Sequence, residues 1–184
     1  MKVVIDTSSL LALVRYYLPF DNNRTLFDLI QSKILNKEII IIDKVVLESK
    51  YIAKGIILEK LDYLRDRKIR INTTEILPTR KFYNQLENQF VYGSIKNRLN
   101  EAEYEKMKES FLQSADAKLI LYAMEYNKEN NMFKDDKMII VTEESSSEND
   151  NKFIKKIPQI GKILELDVIT LPEYFIKLGV KINY

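Results

Sequence analysis

Several residue types with distinctive chemistry are missing or scarce in this 184-residue chain. It contains no cysteine, no histidine and no tryptophan, and it has only four glycines and four prolines. The lack of cysteine excludes disulfide bridges and zinc sites built on thiolates. The lack of histidine excludes Ser-His-Asp hydrolysis, Cys-His chemistry and general acid/base catalysis by an imidazole. Any catalysis must therefore depend on carboxylates, hydroxyls, Lys, Arg, Tyr or a bound cofactor.

The sequence also lacks a long apolar run and a signal-like beginning. No apolar stretch approaches the roughly 18 to 20 residues that span a bilayer, and the opening residues MKVVID do not resemble a cleavable signal peptide. Hydrophobic residues make up 46% and charged residues 30%, as in globular proteins. We expect a cytoplasmic protein with no membrane association, folded as a single domain over residues 1–184.

Positive and negative charges nearly balance. The chain has 29 Lys and Arg against 27 Asp and Glu, which gives a formal net charge of +2. A balance this close indicates little about binding partners. It does require that any acidic cluster be offset by basic surface elsewhere.

The first third of the chain alternates strand-like and helix-like patterns. Residues 2–5 form an apolar run that ends at Asp6, and residues 38–42 form another. Helical spacing of apolar residues follows at residues 10–17, 22–36 and 44 to about 65. Ser8 or Ser9 is expected to cap the first of these helices. The alternation predicts an α/β fold, a three-layer α/β/α sandwich around a central, mostly parallel sheet.

The later part of the chain continues this pattern with a polar interruption. Residues 66–82 predict one short strand, whereas residues 83–110 predict a helical insertion. A helix over residues 114–126 places Asp116 in its first turn. A short helix is expected to begin at Pro172. Two further apolar runs predict strands, over residues 137–141 and 168–171.

Four acidic residues are predicted to share one edge of the sheet. Asp6 and Glu144 each follow a strand, and the carboxyl ends of strands form the functional edge of open α/β sheets. Asp116 begins a helix, and Glu48 is expected in the first turn of the helix after the second strand. Clustered carboxylates repel one another unless a cation neutralises them, and ligand sets made only of oxygen select Mg²⁺ or Mn²⁺. Such a site is suited to phosphodiester cleavage.

The acidic residues lie in motifs that resemble those of the PIN-domain nucleases, a superfamily that includes the toxin halves of many prokaryotic toxin–antitoxin pairs. The motifs follow the family's order: residues 4–11 (VIDTSSLL), 45–48 (VVLE), 114–120 (SADAKLI) and 141–144 (VTEE). The later segments KIP at 156–158 and LDV at 166–168 resemble an uncharacterised, toxin-like branch. The resemblance spans residues 3 to about 178.

The resemblance implies a metal-dependent endoribonuclease. Asp6, Asp116 and Glu144 would hold one Mg²⁺ or Mn²⁺, while Glu48 would bind a second ion or orient the attacking water. In-line attack on phosphorus would leave a 5′-phosphate and a 3′-hydroxyl. As supporting residues, Ser8 and Thr142 are expected to hydrogen-bond a carboxylate or a metal-bound water.

Substrate and partner expectations follow from the same resemblance and from charge. Phosphate contacts by Lys and Arg would supply most of the RNA affinity, and Arg15, Lys44 and Lys50 are the candidates because they lie near the acidic motifs. A toxin would have a small antitoxin protein that covers the acidic cleft or places a basic side chain in it. Homodimers are also common in the family.

The chain departs from the family pattern in three respects. The interval between Glu48 and Asp116 is longer than in the smallest members, consistent with the helical insertion. The fourth acid is Glu where Asp is commoner, and it is either Glu143 or Glu144, with the spacing from Thr142 favouring the latter. A fifth acid found in many members falls on Ser146 or Ser147 here, so Glu148 or Asp150 would have to replace it.

Other functions remain open at this point. Each acid taken alone is as readily a helix cap or a surface charge, and a PIN-like binding or scaffold module with weak or no activity is the main alternative. A haloacid-dehalogenase type phosphotransferase would need a second Asp two residues after the first, where this chain has Ser8. A dinucleotide-binding domain would need a Gly-x-Gly phosphate turn, which is absent.

Overall fold

The computed structural model describes residues 1–130, 137–145 and 152–180, and a four-stranded sheet lies at its centre. All three strand pairings are parallel, in the order β2-β1-β3-β4. The strands are β1 (Lys2–Ile5), β2 (Ile39–Ile40), β3 (Met138–Val141) and β4 (Val168–Ile169). The predicted α/β class with a parallel sheet is confirmed.

Helices make up most of the remaining structure. Those in the described ranges are α1 (Thr7–Ala12), α2 (Thr25–Leu35), α3 (Asp43–Ser49), α4 (Ile56–Lys60), α5 (Arg80–Gln85), α6 (Gly93–Lys96), α7 (Glu101–Leu112), α8 (Ala115–Glu129), α9 (Ile157–Leu164) and α10 (Leu171–Lys177). Two segments are π-helical, Leu13–Tyr17 and Leu86–Phe90. Three short segments are 3₁₀-helical, Leu18–Phe20, Ile52–Gly55 and Asp62–Arg65. None of these helices is long and apolar enough to cross a bilayer.

The central strands are buried on both faces. Val3, Val4 and Ile5 of β1 are at most 1% exposed, so the strand is a continuous apolar run instead of an alternating one. Val3 pairs with Ile39 of β2 on one side and Ile139 of β3 on the other, which fixes the register of these three strands. Asp6 follows directly at the carboxyl end of this buried strand.

The chain reverses its direction across the sheet at β1. The connection from β1 leads outward to β2, and the next connection returns across β1 to β3 and then β4. Because such crossovers are right-handed, the two directions place helices on opposite faces, which gives a three-layer arrangement. α2 packs on β2, while α8 packs on β1 and β3. The carboxyl ends of β1 and β3 flank the reversal, where open α/β sheets bind ligands.

Two predictions about the region after β2 are wrong. The helix expected from residue 44 to about 65 is interrupted between α3 and α4, because Ala53, Lys54 and Gly55 have φ angles of 48°, 58° and 78°. Only glycine adopts such left-handed backbone without steric cost. The strand expected within residues 66–82 is a single bridge between Ile42 and Ile71. Short amphipathic stretches of this kind do not distinguish a strand from an extended loop.

The remaining predictions are largely confirmed. Most of the polar stretch 83–110 is helical, and it includes α6 and most of α7. The helix α9 was not predicted, although Pro158 at its second position is a known start signal. Val168–Leu171 is strand only at its first two residues; Thr170 then caps α10, in which Pro172 is the second residue.

Candidate active site

Asp6 follows β1 directly, and donors on both of its carboxylate oxygens hold it in place. The backbone N–H of Asp6 donates to Val141 O at 2.9 Å, which continues the pairing of β1 with β3. Its Oδ1 accepts from Thr7 N at 2.6 Å. Its Oδ2 accepts from Ser8 Oγ at 2.6 Å and from Thr142 Oγ1 at 2.9 Å. The residue is 4% exposed, so its direction is set by these bonds.

Asp6 is therefore also the cap of α1, and the expectation that Ser8 or Ser9 caps this helix is wrong. The helix starts at Thr7, three residues before the predicted start. Ser8 instead bridges the two motifs: its Oγ donates to Asp6 and accepts from Glu143 N at 3.0 Å. Ser9 Oγ is buried and has no hydrogen-bond partner among the described residues. Ser8 and Thr142 thus contact a site carboxylate, as predicted for supporting residues.

Asp116 is the second residue of α8, whose cap is Ser114. Ser114 Oγ accepts from Ala117 N at 3.2 Å, which fixes the first turn. Burial, and after it the negative charges of Asp6, Glu144 and Glu48, together raise the pKa of Asp116 to about 8. The charges of all three other acids act on the carboxyl of Asp116, so the four acids lie in one region of the molecule.

Glu48 reaches the site from a different part of α3 than expected. It is the sixth residue of Asp43–Ser49 and so lies in the second turn, not the first. Its Oε2 accepts a short hydrogen bond of 2.5 Å from Thr7 Oγ1. Thr7 therefore ties α3 to the start of α1, directly beside Asp6.

The two adjacent acids after β3 have different surroundings. Glu143 Oε1 accepts from Leu171 N at 2.6 Å, so this side chain caps the start of α10. Glu144 Oε2 accepts from Ile157 N at 2.9 Å, at the start of α9, and Glu144 acts electrostatically on Asp116. The geometry therefore places Glu144, and not Glu143, with the other three acids. The alternative fifth acids Glu148 and Asp150 lie outside the described residues.

Asp6, Glu48 and Glu144 are near enough for their charges to act on Asp116, but the four carboxylates do not surround one common point. Within the described ranges, no three acidic residues form a cluster at metal-ligand spacing. Asp6, Glu48 and Glu144 are each held by a protein donor, whereas Asp116 accepts no hydrogen bond from any described residue. Mutual repulsion favours this separation. The ligand set itself, made only of carboxylate oxygens, suits a hard divalent cation.

The basic residues predicted to bind substrate do not contact the acids. Among the described residues, neither Arg15 nor Lys50 forms an ion pair, and both are exposed. The charge of Lys44 acts on Lys118, two positions after Asp116 on α8. The cation that approaches the site is Lys152, with its Nζ 4.0 Å from Glu144 Oε1.

Three residues of the site region were not found from the sequence. Thr7 contacts Glu48, and Lys152 contacts Glu144. Of these two, only Thr7 could have been found from the sequence, because it lies inside the DTSS motif. Lys118 is 4% exposed, and its Nζ donates to Ile76 O at 2.6 Å. Burial lowers the pKa of Lys118. This hydrogen bond attaches the loop that precedes α5 to helix α8, two positions after Asp116.

Comparison with known proteins gives the family. Residues 3–182 match the model of a domain of unknown function, DUF4411. The chain belongs to the DUF4411 family. Neither the curated proteins nor the solved structures contain a match. All four acids fall within the DUF4411 domain, so the site is part of the family's domain and not of an appended segment.

Proposed function

We propose that this DUF4411 protein is a metal-dependent endoribonuclease that cleaves RNA phosphodiester bonds at the four-carboxylate site. The observation that carries the proposal is the raised pKa of Asp116, to about 8, which burial and the charges of Asp6, Glu144 and Glu48 produce together. Four acids from four separate segments meet beside the carboxyl ends of β1 and β3. A fold gains no stability from such mutual repulsion, so a cationic ligand is the physical reason for the arrangement.

The residues present fit Mg²⁺ or Mn²⁺ in their chemistry. Asp6, Asp116 and Glu144 would hold one ion, and Glu48 would hold a second or orient water. When bound, such an ion neutralises charge on the phosphate and lowers the pKa of a coordinated water. The spacing of the carboxylates is wider than a closed ligand set, so binding requires that their side chains turn inward.

The chain's own residues would prepare the site in three ways. Ser8 and Thr142 hold Asp6 Oδ2, which fixes the direction of the central carboxylate. Thr7 holds Glu48 Oε2 and leaves its other carboxylate oxygen available to accept a proton from water. Lys152, close to Glu144, is the described cation nearest the acids and would contact a phosphate of the substrate.

The test is cleavage of labelled single-stranded RNA and DNA by the purified protein with Mn²⁺, with Mg²⁺ and with EDTA. We expect cutting of RNA that requires the metal and that disappears in Asp6→Asn. Exposed Asp28 on α2 offers a matched control, because Asp28→Asn removes the same charge away from the site. Cutting that persists in EDTA, or equally in Asp6→Asn, would overturn the proposal.

The second candidate is a PIN-like binding or scaffold module with little or no activity. It is favoured by one observation, namely that no three of the described acids approach metal-ligand spacing. Calorimetry separates the two functions. Binding of Mn²⁺ that is lost in Asp6→Asn supports the nuclease, and a well-folded protein that binds no Mn²⁺ supports the module.

The biological setting that we propose is a toxin–antitoxin pair. In that setting a small antitoxin protein would cover the carboxylate site or place a basic side chain among the acids, and the nuclease would form homodimers. Co-expression with the product of the neighbouring gene, followed by cleavage assays on the purified complex, tests this. Inhibition that is relieved when the partner is removed supports it.

A further inference from the structure

A second cluster of charged residues lies between α3 and α4, away from the carboxylates. It surrounds a cavity of about 580 Å³. Four cations and one acid are among the lining residues, which are Val46, Lys50, Lys54, Gly55, Leu58, Glu59, Arg65 and Arg70. We call this cavity the basic pocket. The single acid, Glu59, lies 3.4 Å from Lys60, and the four cations outnumber it around the cavity.

The two arginines of the basic pocket are held in position by backbone carbonyls. Arg65 Nε donates to Leu58 O at 3.3 Å, and Arg70 Nη2 donates to Arg65 O at 2.9 Å. Arg70 Nε is buried and has no hydrogen-bond partner in the described part of the chain. A buried charged donor without an acceptor is unfavourable, so this nitrogen requires a ligand or water that the protein itself does not provide.

The lysines of the basic pocket are placed by an unusual turn. Ala53, Lys54 and Gly55 have consecutive positive φ angles, and a Cβ at Gly55 would meet Lys50 O at 3.3 Å. This turn brings Gly55 close to Lys50, and Lys50 and Lys54 both line the basic pocket. Both side chains are exposed, and neither forms a salt bridge with a described acid. Left-handed backbone at two non-glycine residues costs free energy, and such strain is concentrated at functional positions.

We propose that the basic pocket binds a phosphate group. Guanidinium and ammonium donors that outnumber the acids around one cavity, here four to one, are the chemistry that recognises phosphate oxygens. Lys50 is two residues after Glu48, about 200° around α3, so the two sites lie on opposite sides of one helix. The phosphate therefore belongs to a part of the strand beyond the scissile bond, an assignment that rests on the proposed function. A free phosphate or nucleotide shares the same chemistry.

The test is binding of labelled single-stranded RNA by anisotropy, in EDTA and in an Asp6→Asn background, so that no cleavage occurs. The pocket variant is Lys50→Gln with Lys54→Gln. The control is Lys106→Gln with Lys128→Gln, which removes two exposed lysines on α7 and α8 and so changes the net charge equally. Thermal unfolding of both double variants checks that they remain folded.

We expect the pocket variant to weaken RNA binding roughly tenfold and to reduce the salt dependence by about one to two released ions. The control should retain the parent affinity within about twofold. Equal weakening in both variants, or no weakening in either, would overturn the assignment of a strand phosphate.

A titration with inorganic phosphate and with a nucleoside monophosphate shows whether the bound phosphate comes from an RNA strand or from a small molecule. Phosphate binding that is lost only in the pocket variant, with RNA binding unchanged, assigns the pocket to a small phosphate. If the pocket variant changes neither RNA binding nor phosphate binding, the proposal that the basic pocket binds a phosphate group is overturned. Because these measurements involve no cleavage and no metal, a failed nuclease assay leaves them interpretable.

Discussion

Thr142 donates a hydrogen bond to Asp6 at 2.9 Å although 136 positions separate the two residues. The bond joins the carboxyl ends of β1 and β3 across the point where the chain reverses direction. Both residues are nearly fully buried, and Thr142 Oγ1 also accepts from Glu144 N at 3.1 Å. One hydroxyl therefore positions the central acid and the loop that carries the fourth acid.

The first prediction concerns this hydroxyl. Thr142→Val removes it while preserving shape, and we expect RNA cleavage to fall about 10- to 100-fold, as for other residues that orient metal ligands. The buried Asp6 carboxylate would lose one donor, which lowers the free energy of unfolding by about 1 kcal/mol. Thr142→Ser keeps the hydroxyl and should retain most of the activity. Equal activities of the Val and Ser variants would contradict this role.

The second prediction separates the two adjacent glutamates. Glu144→Gln should lower cleavage at least about 100-fold, because it removes one of the charges that would hold the metal. Glu143→Gln is the matched control: its amide oxygen can still accept from Leu171 N, so activity should stay near that of the parent. The same assay with both variants decides the fourth acid. A larger loss in Glu143→Gln would reverse the assignment.

The third prediction is a pH dependence of stability without metal. The pKa of Asp116 is about 8 in the folded protein against 3.8 for an ordinary Asp, so between these values the folded state binds more protons than the unfolded state. Stability should therefore fall as pH rises from about 4 to 8, by at most roughly 1.4 kcal/mol per pH unit. Urea unfolding in EDTA at several pH values measures it.

Asp116→Asn should abolish that contribution and stabilise the metal-free protein at pH 8, while it eliminates cleavage. Asp28→Asn, at an exposed position on α2, should keep the parent's pH profile. If Asp116→Asn unfolds with the same pH dependence as the parent, the repulsion among the four acids is smaller than the structure indicates.

The fourth prediction concerns the packing of α9 on β4. A Cβ at Gly161 would overlap Val168 Cγ2, so Gly161→Ala should lower the free energy of unfolding by about 1 to 3 kcal/mol. A Cβ at Gly93 meets no atom within 4 Å, and Gly93→Ala should be neutral or stabilising by up to about 1 kcal/mol. Denaturant unfolding of both variants tests it, and equal effects would contradict the close approach of α9 to β4.

The sequence predicted those features that depend on local pattern. β1 was found as a short run of β-branched apolar residues, and α2 and α8 were found because their apolar residues recur with helical spacing. It failed where the backbone departs from regular geometry, as at Ala53 and Lys54, since nothing in the propensity of these residues indicates left-handed φ angles. The extent of β2 and β4 was also overestimated, because an apolar run does not reveal how many of its residues find a partner strand.

The identities of Asp6, Glu48, Asp116 and Glu144 as candidate residues came from the sequence alone, through their order and the motifs around them. The spacing from Thr142 already favoured Glu144 over Glu143, and the tertiary structure gave the two side chains different partners. Only the tertiary structure joined Thr7 to Glu48 and raised the pKa of Asp116. The basic pocket likewise exists only in three dimensions, because Lys50 and Arg70 become neighbours through a turn and a loop. The physical reason is common to all of these: charge interactions and hydrogen bonds depend on distance in space, whereas sequence patterns report only neighbours along the chain.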